Sequence, residues 1–215
     1  MKTKPILFNS DMVRALLDGR KGQTRRPINP QPDPQCDKVI FDSLAQNWAV
    51  IGGDSNDARD YGLLDTIKCP LGKPGDMLWV REAFCSDWGD DIAYKADDHS
   101  GHGARNAGYI KEPKYKPSIH MPRWVSRLTL KISDVRVERV QDITEEDAKS
   151  EGVPKLAMDE DRKFYQLKNE GSYRTGFAGV WNHIYSSWDD NPYIWAASFD
   201  VIKANVDAAL NEEAA

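Results

Sequence analysis

Lys73-Pro74-Gly75-Asp76-Met77-Leu78-Trp79-Val80-Arg81-Glu82 is the stretch on which the fold class turns. A Pro-Gly-Asp turn feeds a run that places Leu78 and Val80 on one face, the period-two pattern of a strand. Toward the C-terminus, Ile92-Ala93-Tyr94-Lys95 predicts a second short strand. Trp124 to Leu130 and Val135 to Val140 predict two more, joined through Ser133-Asp134. In the second of these, Val135 and Val137 point one way and Arg136 and Glu138 the other. Asn191-Pro192 opens a final apolar strand, Tyr193 to Ile202. Toward the N-terminus, Ile6-Leu7-Phe8 reads as a short strand. A helix capped by Asn9 or Ser10 follows it, with Met12, Val13, Leu16 and Leu17 at helical spacing. Gly19 stands where a left-handed residue ends a helix.

Two further helices interrupt the strands. Thr144-Glu145-Glu146-Asp147 opens one with an acidic first turn, which the helix dipole favours, and it ends near Gly152. Phe177 to Tyr185 is the other, with Phe177, Val180, Trp181 and Ile184 on its buried side. Residues 29–72 are rich in proline and turn chemistry and read as an insertion, within which Val39-Ile40-Phe41 and Trp48-Ala49-Val50-Ile51 pair as a hairpin. A second insertion spans 97–117. The expected organisation is one domain over residues 1–203, followed by a flexible acidic tail over 204–215. About six or seven short strands with flanking short helices place the chain in the α+β class, as a small β-barrel with long loop insertions.

Composition narrows the function classes. The 215 residues are 40% apolar and include seven Trp and eight Tyr, enough for a real core. No apolar run approaches the roughly 20 residues that a bilayer requires. The N-terminal Met1-Lys2-Thr3-Lys4-Pro5-Ile6-Leu7-Phe8 lacks a signal-peptide core, so a cytoplasmic monomer with no membrane partner is expected. Cys36, Cys69 and Cys85 are odd in number and widely spaced, which fits reduced thiols. A zinc site assembled from Cys36, Cys69, His99 and His102 would lack any close Cys-x-x-Cys pair, so neither metal nor cofactor is expected.

Charge is unevenly spread. The net charge is −5, which argues against indiscriminate coating of nucleic acid. Residues 14–26 nevertheless carry five basic and one acidic side chain, and residues 111–131 carry six basic and one acidic. Residues 142–161 carry eight acidic and two basic. Two basic strips on an acidic protein suggest local anion sites. The first strip holds Gly19-Arg20-Lys21-Gly22-Gln23-Thr24-Arg25-Arg26, which leaves a helix and turns into extended chain held by Pro27.

That block, the 73–82 stretch, Ser118-Ile119-His120-Met121-Pro122-Arg123-Trp124 and Ile143-Thr144-Glu145-Glu146-Asp147-Ala148 together resemble the ASCH family of the PUA-like superfamily. The likeness covers most of residues 4–202 and is greatest to the long ASCH-like proteins encoded by bacteriophages and prophages. It implies a PUA-like barrel with a cleft, in a bacterial host cell, and a role in binding RNA, modified nucleosides or modified bases. The compact acetylcytidine amidohydrolases of this family share the Gly-Arg-Lys-x-x-Thr motif. Matched residue by residue, the resemblance assigns catalysis to Lys21, Thr24 and Glu151, with Gly22 standing where the family often has Thr.

On that reading Lys21 accepts the Thr24 hydroxyl proton, Arg20 and Arg25 lower the lysine pKa, and Glu151 orients the ammonium or carries a proton to the leaving amine. Lys21 and Thr24 lie three apart, so a turn at Gly22 is needed to bring them to one face. The competing reading is binding alone, with Lys21, Arg25 and Arg26 holding phosphate; a ribonuclease is a further alternative that the family implies. The second strip interleaves cations with aromatic residues, a mixture that holds phosphates while a ring stacks on a base. There Arg123 and Trp124 would line the cleft beside Arg81 and Glu82, with His120 as a general acid. Each has a structural alternative: Trp124 as a core residue at a strand start, His120 as a satisfied packing group and Glu82 as the buried partner of an arginine.

Overall fold

The computed structural model describes residues 1–45, 47–53, 62–88, 91–97, 113–158, 164–165 and 171–214. The protein is mixed α+β, with most of its regular structure in strands. In chain order the strands are β1 (Thr3–Leu7), β2 (Gln23–Pro27), β3 (Cys36–Asp42), β4 (Asn47–Gly52), β5 (Gly62–Ile67) and β6 (Met77–Arg81). They continue with β7 (Phe84–Trp88), β8 (Asp91–Tyr94), β9 (Thr129–Arg139), β10 (Ala157–Met158), β11 (Phe164–Tyr165) and β12 (Tyr193–Ile202). Helices span Ser10–Leu17, Glu145–Ser150, Tyr173–Tyr185 and Val206–Ala214.

The chain forms two compact units where the sequence suggests one domain. The first comprises Met1–Gly22, Pro74–Ser133 and Phe199–Ala215, the second Gln23–Lys73 and Asp134–Ser198. Each has apolar clusters of its own, which is the physical reason it counts as a unit. Among the described residues the strand pairings form open ladders, and none closes on itself into a barrel.

In the first unit, β6 pairs parallel with β1 (Thr3↔Met77 to Leu7↔Arg81) and antiparallel with β9 (Met77↔Lys131, Trp79↔Thr129). A central strand has both faces covered, so Met77, Leu78, Trp79 and Val80 are all buried, beyond the single Leu78/Val80 face read from the sequence. The helix Ser10–Leu17 starts at Asn9, whose side chain accepts from the Met12 amide at 2.9 Å. Its C-terminus is closed at Gly19, at φ +70°, after which the Arg20 and Lys21 amides both donate to the Ala15 carbonyl, at 2.8 and 3.0 Å. Phe84, Met121 and Val125 form a second cluster, with Ile92 and Tyr94 against it.

Two expectations for this unit are corrected. Trp124 does not open a strand: Arg123–Val125 is a single 3-10 turn, and β9 runs unbroken from Thr129 through Ser133-Asp134 to Arg139. The supposed flexible tail contains a helix, Val206–Ala214, in which Val206 and Ala209 pack on Met77 and Trp79. Val206, Ala209 and Leu210 carry the i, i+3, i+4 spacing that marks that helix in the sequence.

In the second unit, β2 pairs antiparallel with β12, from Gln23↔Ser198 to Pro27↔Ile194. The stretch taken as an irregular insertion builds an antiparallel sheet in the order β3-β4-β5. Its predicted hairpin is present, with Phe41 opposite Trp48 and their rings 5.2 Å apart. Val140, Ile143, Ala148, Phe177, Trp181, Ile194 and Ala196 form the core beside the helices. The second of these helices begins at Tyr173, four residues before the predicted start, because Ser172 caps it by accepting from the Thr175 amide at 3.0 Å. Only a glycine fits at position 176, where a Cβ would lie 1.9 Å from the Pro154 carbonyl oxygen. His99, His102 and most of the 97–117 insertion lie outside the described residues.

Candidate functional site

In the second unit the side chains converge on Arg25. Strand alternation puts Gln23 and Arg25 on one face of β2 and Thr24 on the other. The Arg25 guanidinium is completely buried, beside the Phe177 ring at 5.8 Å. Its Nε donates to Glu138 at 2.9 Å. One terminal nitrogen reaches Gln23 and Glu151, each at 3.1 Å, and the other reaches Asp147 at 2.9 Å and Glu138 at 2.8 Å. Four of these contacts are hydrogen bonds, and the fifth, from the second terminal nitrogen to Glu138, is an ion pair to the same oxygen that accepts from Nε. The expectation that Arg25 grips a ligand phosphate therefore does not fit this arrangement: the group is a clasp joining β2, β9 and the helix Glu145–Ser150.

Arg136 completes the cluster, donating to Glu138 at 2.9 Å and to Asp147 at 2.6 Å. It shares a face of β9 with Glu138, as the alternation in Val135-Arg136-Val137-Glu138 indicates. Burial pushes the Asp147 carboxyl up, but the Gln23 hydrogen bond and the Arg136 and Arg25 charges outweigh it and hold the pKa below the ordinary value. For Arg136, burial works against the charge, and hydrogen bonding and attraction to Glu138 and Asp147 raise its pKa overall.

The residues assigned to catalysis are all buried, with exposures of 1% for Lys21, 1% for Thr24 and 5% for Glu151. In the first unit, the Lys21 ammonium lies 5.4 Å from the centre of the Phe8 ring. In the second, Glu151 is the C-cap of Glu145–Ser150, and Thr24 lies on the face of β2 opposite the one from which Arg25 reaches Glu151. Arg20 is a surface residue paired with Asp18 at 2.8 Å. Arg26 is half-buried and donates to the Tyr185 hydroxyl at 3.4 Å.

The second basic strip has a different character. Trp124 is 68% exposed, which overturns its reading as a core residue. It stands on the 3-10 turn Arg123–Val125, whose next residue, Val125, is the buried anchor. Ile119, His120, Lys114 and Lys116 are also exposed in this unit. His120 is therefore not the packed histidine that its apolar neighbours suggest. Arg81 donates to the Ile119 carbonyl and lies 5.4 Å from the Trp79 ring centre. Arg123 is held by Asp207, with contacts of 2.7, 3.1 and 3.2 Å, and by Thr3 at 2.7 Å.

Glu82 follows the structural alternative: it is buried, and Arg127 grips both its oxygens at 2.9 and 3.0 Å. Arg127 also binds both oxygens of Asp97, each at 2.8 Å, and lies 3.9 Å from the Tyr94 ring centre. Burial raises the Glu82 pKa, and the Arg127 hydrogen bond only partly opposes it. For Arg127 burial works the other way, and the hydrogen bonds to Glu82 and Asp97 carry its pKa above the ordinary value.

Nothing in the sequence marks Arg127, Asp97 or Asp207, and Glu138 and Asp147 are legible there only as part of a strand face and a helix start, since charged residues at such positions look like ordinary solvated surface. Among the described residues no group of three or more His, Cys, Asp or Glu is placed to hold a metal, and no helix is long and apolar enough to cross a membrane. The chain matches no family model, no curated protein and no solved structure.

Proposed function

We propose that this protein binds single-stranded nucleic acid, or a nucleoside carrying a modified base, through Trp124. One observation carries the reading: a large indole is two-thirds exposed on a turn anchored by buried Val125, with Ile119, His120, Lys114 and Lys116 also exposed in the same unit. Leaving an indole in water forgoes the stabilisation of burying it, and base stacking gives the ring a use. Exposed cations of the same unit supply sequence-independent attraction to phosphate, and a single basic strip accommodates this on a chain of net charge −5. The resemblance to ASCH proteins of the PUA-like superfamily points to the same ligand class.

The test is binding of short labelled single-stranded RNA and DNA, with and without modified cytosine. Substituting Trp124→Ala is expected to weaken binding about tenfold or more, as loss of one stacked base does. Equal affinities of wild type and variant would refute the role of Trp124.

A second reading rests on the resemblance of the Gly19-Arg20-Lys21-Gly22-Gln23-Thr24 segment to the motif of the acetylcytidine amidohydrolases. It is hydrolysis of an acyl group from the exocyclic amine of a cytidine: water cleaves the amide, releasing a carboxylic acid and the free amine. Purified protein offered acetylcytidine should then turn it over, and Lys21→Ala or Thr24→Ala should abolish this in folded protein. Absence of turnover leaves the binding reading alone.

A further inference from the structure

We infer that Arg123 is a phosphate-binding position masked by Asp207, whose carboxylate competes with nucleic acid for the guanidinium; this rests on the reading of Trp124 as the base platform. The Nε and one terminal nitrogen of Arg123 both donate to Asp207, the geometry in which arginine also grips phosphate oxygens. Trp124 is the next residue on the same turn, so a phosphate adjoining a base stacked there is the group the Arg123 guanidinium would meet.

Three features let the carboxylate be exchanged without rebuilding the site. Both partners are partly in water, with 35% of the Arg123 side chain and 61% of the Asp207 side chain exposed, and exposed pairs of this kind are held weakly. The other terminal nitrogen of Arg123 is fixed to Thr3 Oγ1 at 2.7 Å and keeps the guanidinium in place when Asp207 lets go. The turn backbone is clamped independently, because Asn205 Nδ2 donates to the carbonyls of Arg123 and Ser126 at 2.9 and 2.8 Å. Asp207 lies in the first turn of the Val206–Ala214 helix, so replacing it leaves that clamp untouched.

The experiment measures the affinity of the full chain for labelled single-stranded RNA and single-stranded DNA at fixed salt. Asp207→Asn is expected to tighten binding about twofold to fivefold, the upper range for releasing one exposed ion-pair partner. Glu212→Gln removes the same charge from the same helix without touching Arg123 and should change affinity far less. In the Arg123→Ala background the gain from Asp207→Asn should vanish, because the two residues act through one contact.

Equal effects of Asp207→Asn and Glu212→Gln would overturn the masking, as would a gain that survives in Arg123→Ala. Asp207→Ser serves as a second unmasking variant if thermal melting shows that the asparagine disturbs the fold. Trp124→Ala is measured alongside. If it loses binding while Asp207→Asn gains none, only the masking fails. If Trp124→Ala binds like wild type, the platform reading fails and the inference with it.

Discussion

Arg25 and Arg123 look alike in the sequence, each in a basic strip and each a candidate for holding a phosphate. Arg25 is fully buried and held by one amide and three carboxylates of the fold, whereas Arg123 sits at the surface and shares its fork between a hydroxyl and one exposed carboxylate. Their surroundings assign opposite roles. A guanidinium removed from water must be satisfied completely by the fold, and complete satisfaction leaves nothing for a ligand. A guanidinium at the surface can exchange one oxygen partner for another at little cost.

The most direct way to break this contrast is to remove Arg25. Arg25→Ala would leave Glu138, Asp147 and Glu151 without their shared cation and should destabilise the protein by about 3–5 kcal/mol in urea unfolding. A loss near zero would mean that water replaces the guanidinium and that the clasp is not structural. The matching substitution at the surface, Arg123→Ala, should cost less than about 1 kcal/mol in the same assay.

Gly176→Ala should cost about 1–3 kcal/mol, since the new methyl group meets the Pro154 carbonyl and backbone must shift. Near-wild-type stability would show that the helix can move away from Pro154.

A half-buried carboxyl and a buried one of opposite behaviour sharpen the comparison through pH. Asp147 has a lowered pKa, so its contribution to stability is present above its ordinary value of 3.8 and is lost as pH falls through the lower folded value. Glu82 has a raised pKa, so its contribution is full below 4.5 and is lost as pH rises through the folded value. Carboxyl titrations by NMR should place the two on either side of their ordinary values. Asp147→Asn should flatten the acid limb of the stability curve, and an unchanged limb would count against the network. The smallest effect is expected at Arg20→Ala: this exposed pair with Asp18 should change stability by under about 0.5 kcal/mol.

Legibility followed the physics of each segment. The β6 strand, the Asn9-capped helix, the Phe41–Trp48 hairpin and the acidic start of the Glu145–Ser150 helix were readable because period, caps and turns are local. The shared face of Arg136 and Glu138 was readable for the same reason. Arg127 gripping Glu82, 45 residues away, was not, because nothing near either residue marks the pairing. Helix Val206–Ala214 was passed over because its apolar spacing is short and set among Asn, Asp and Glu. The core alternative for Trp124 fails because exposure is not a local property: beside Val125, either residue of the pair would serve as the anchor.

The sequence by itself determined the α+β class, the position of most strands and helices, and the two basic strips from which any ligand site must be drawn. Tertiary structure alone decided the division into two units and the open ladders. It also decided which arginine is enclosed and which meets solvent. The reason is that periodicity and capping act over a few residues, whereas burial and charge pairing depend on residues that only the folded chain brings together.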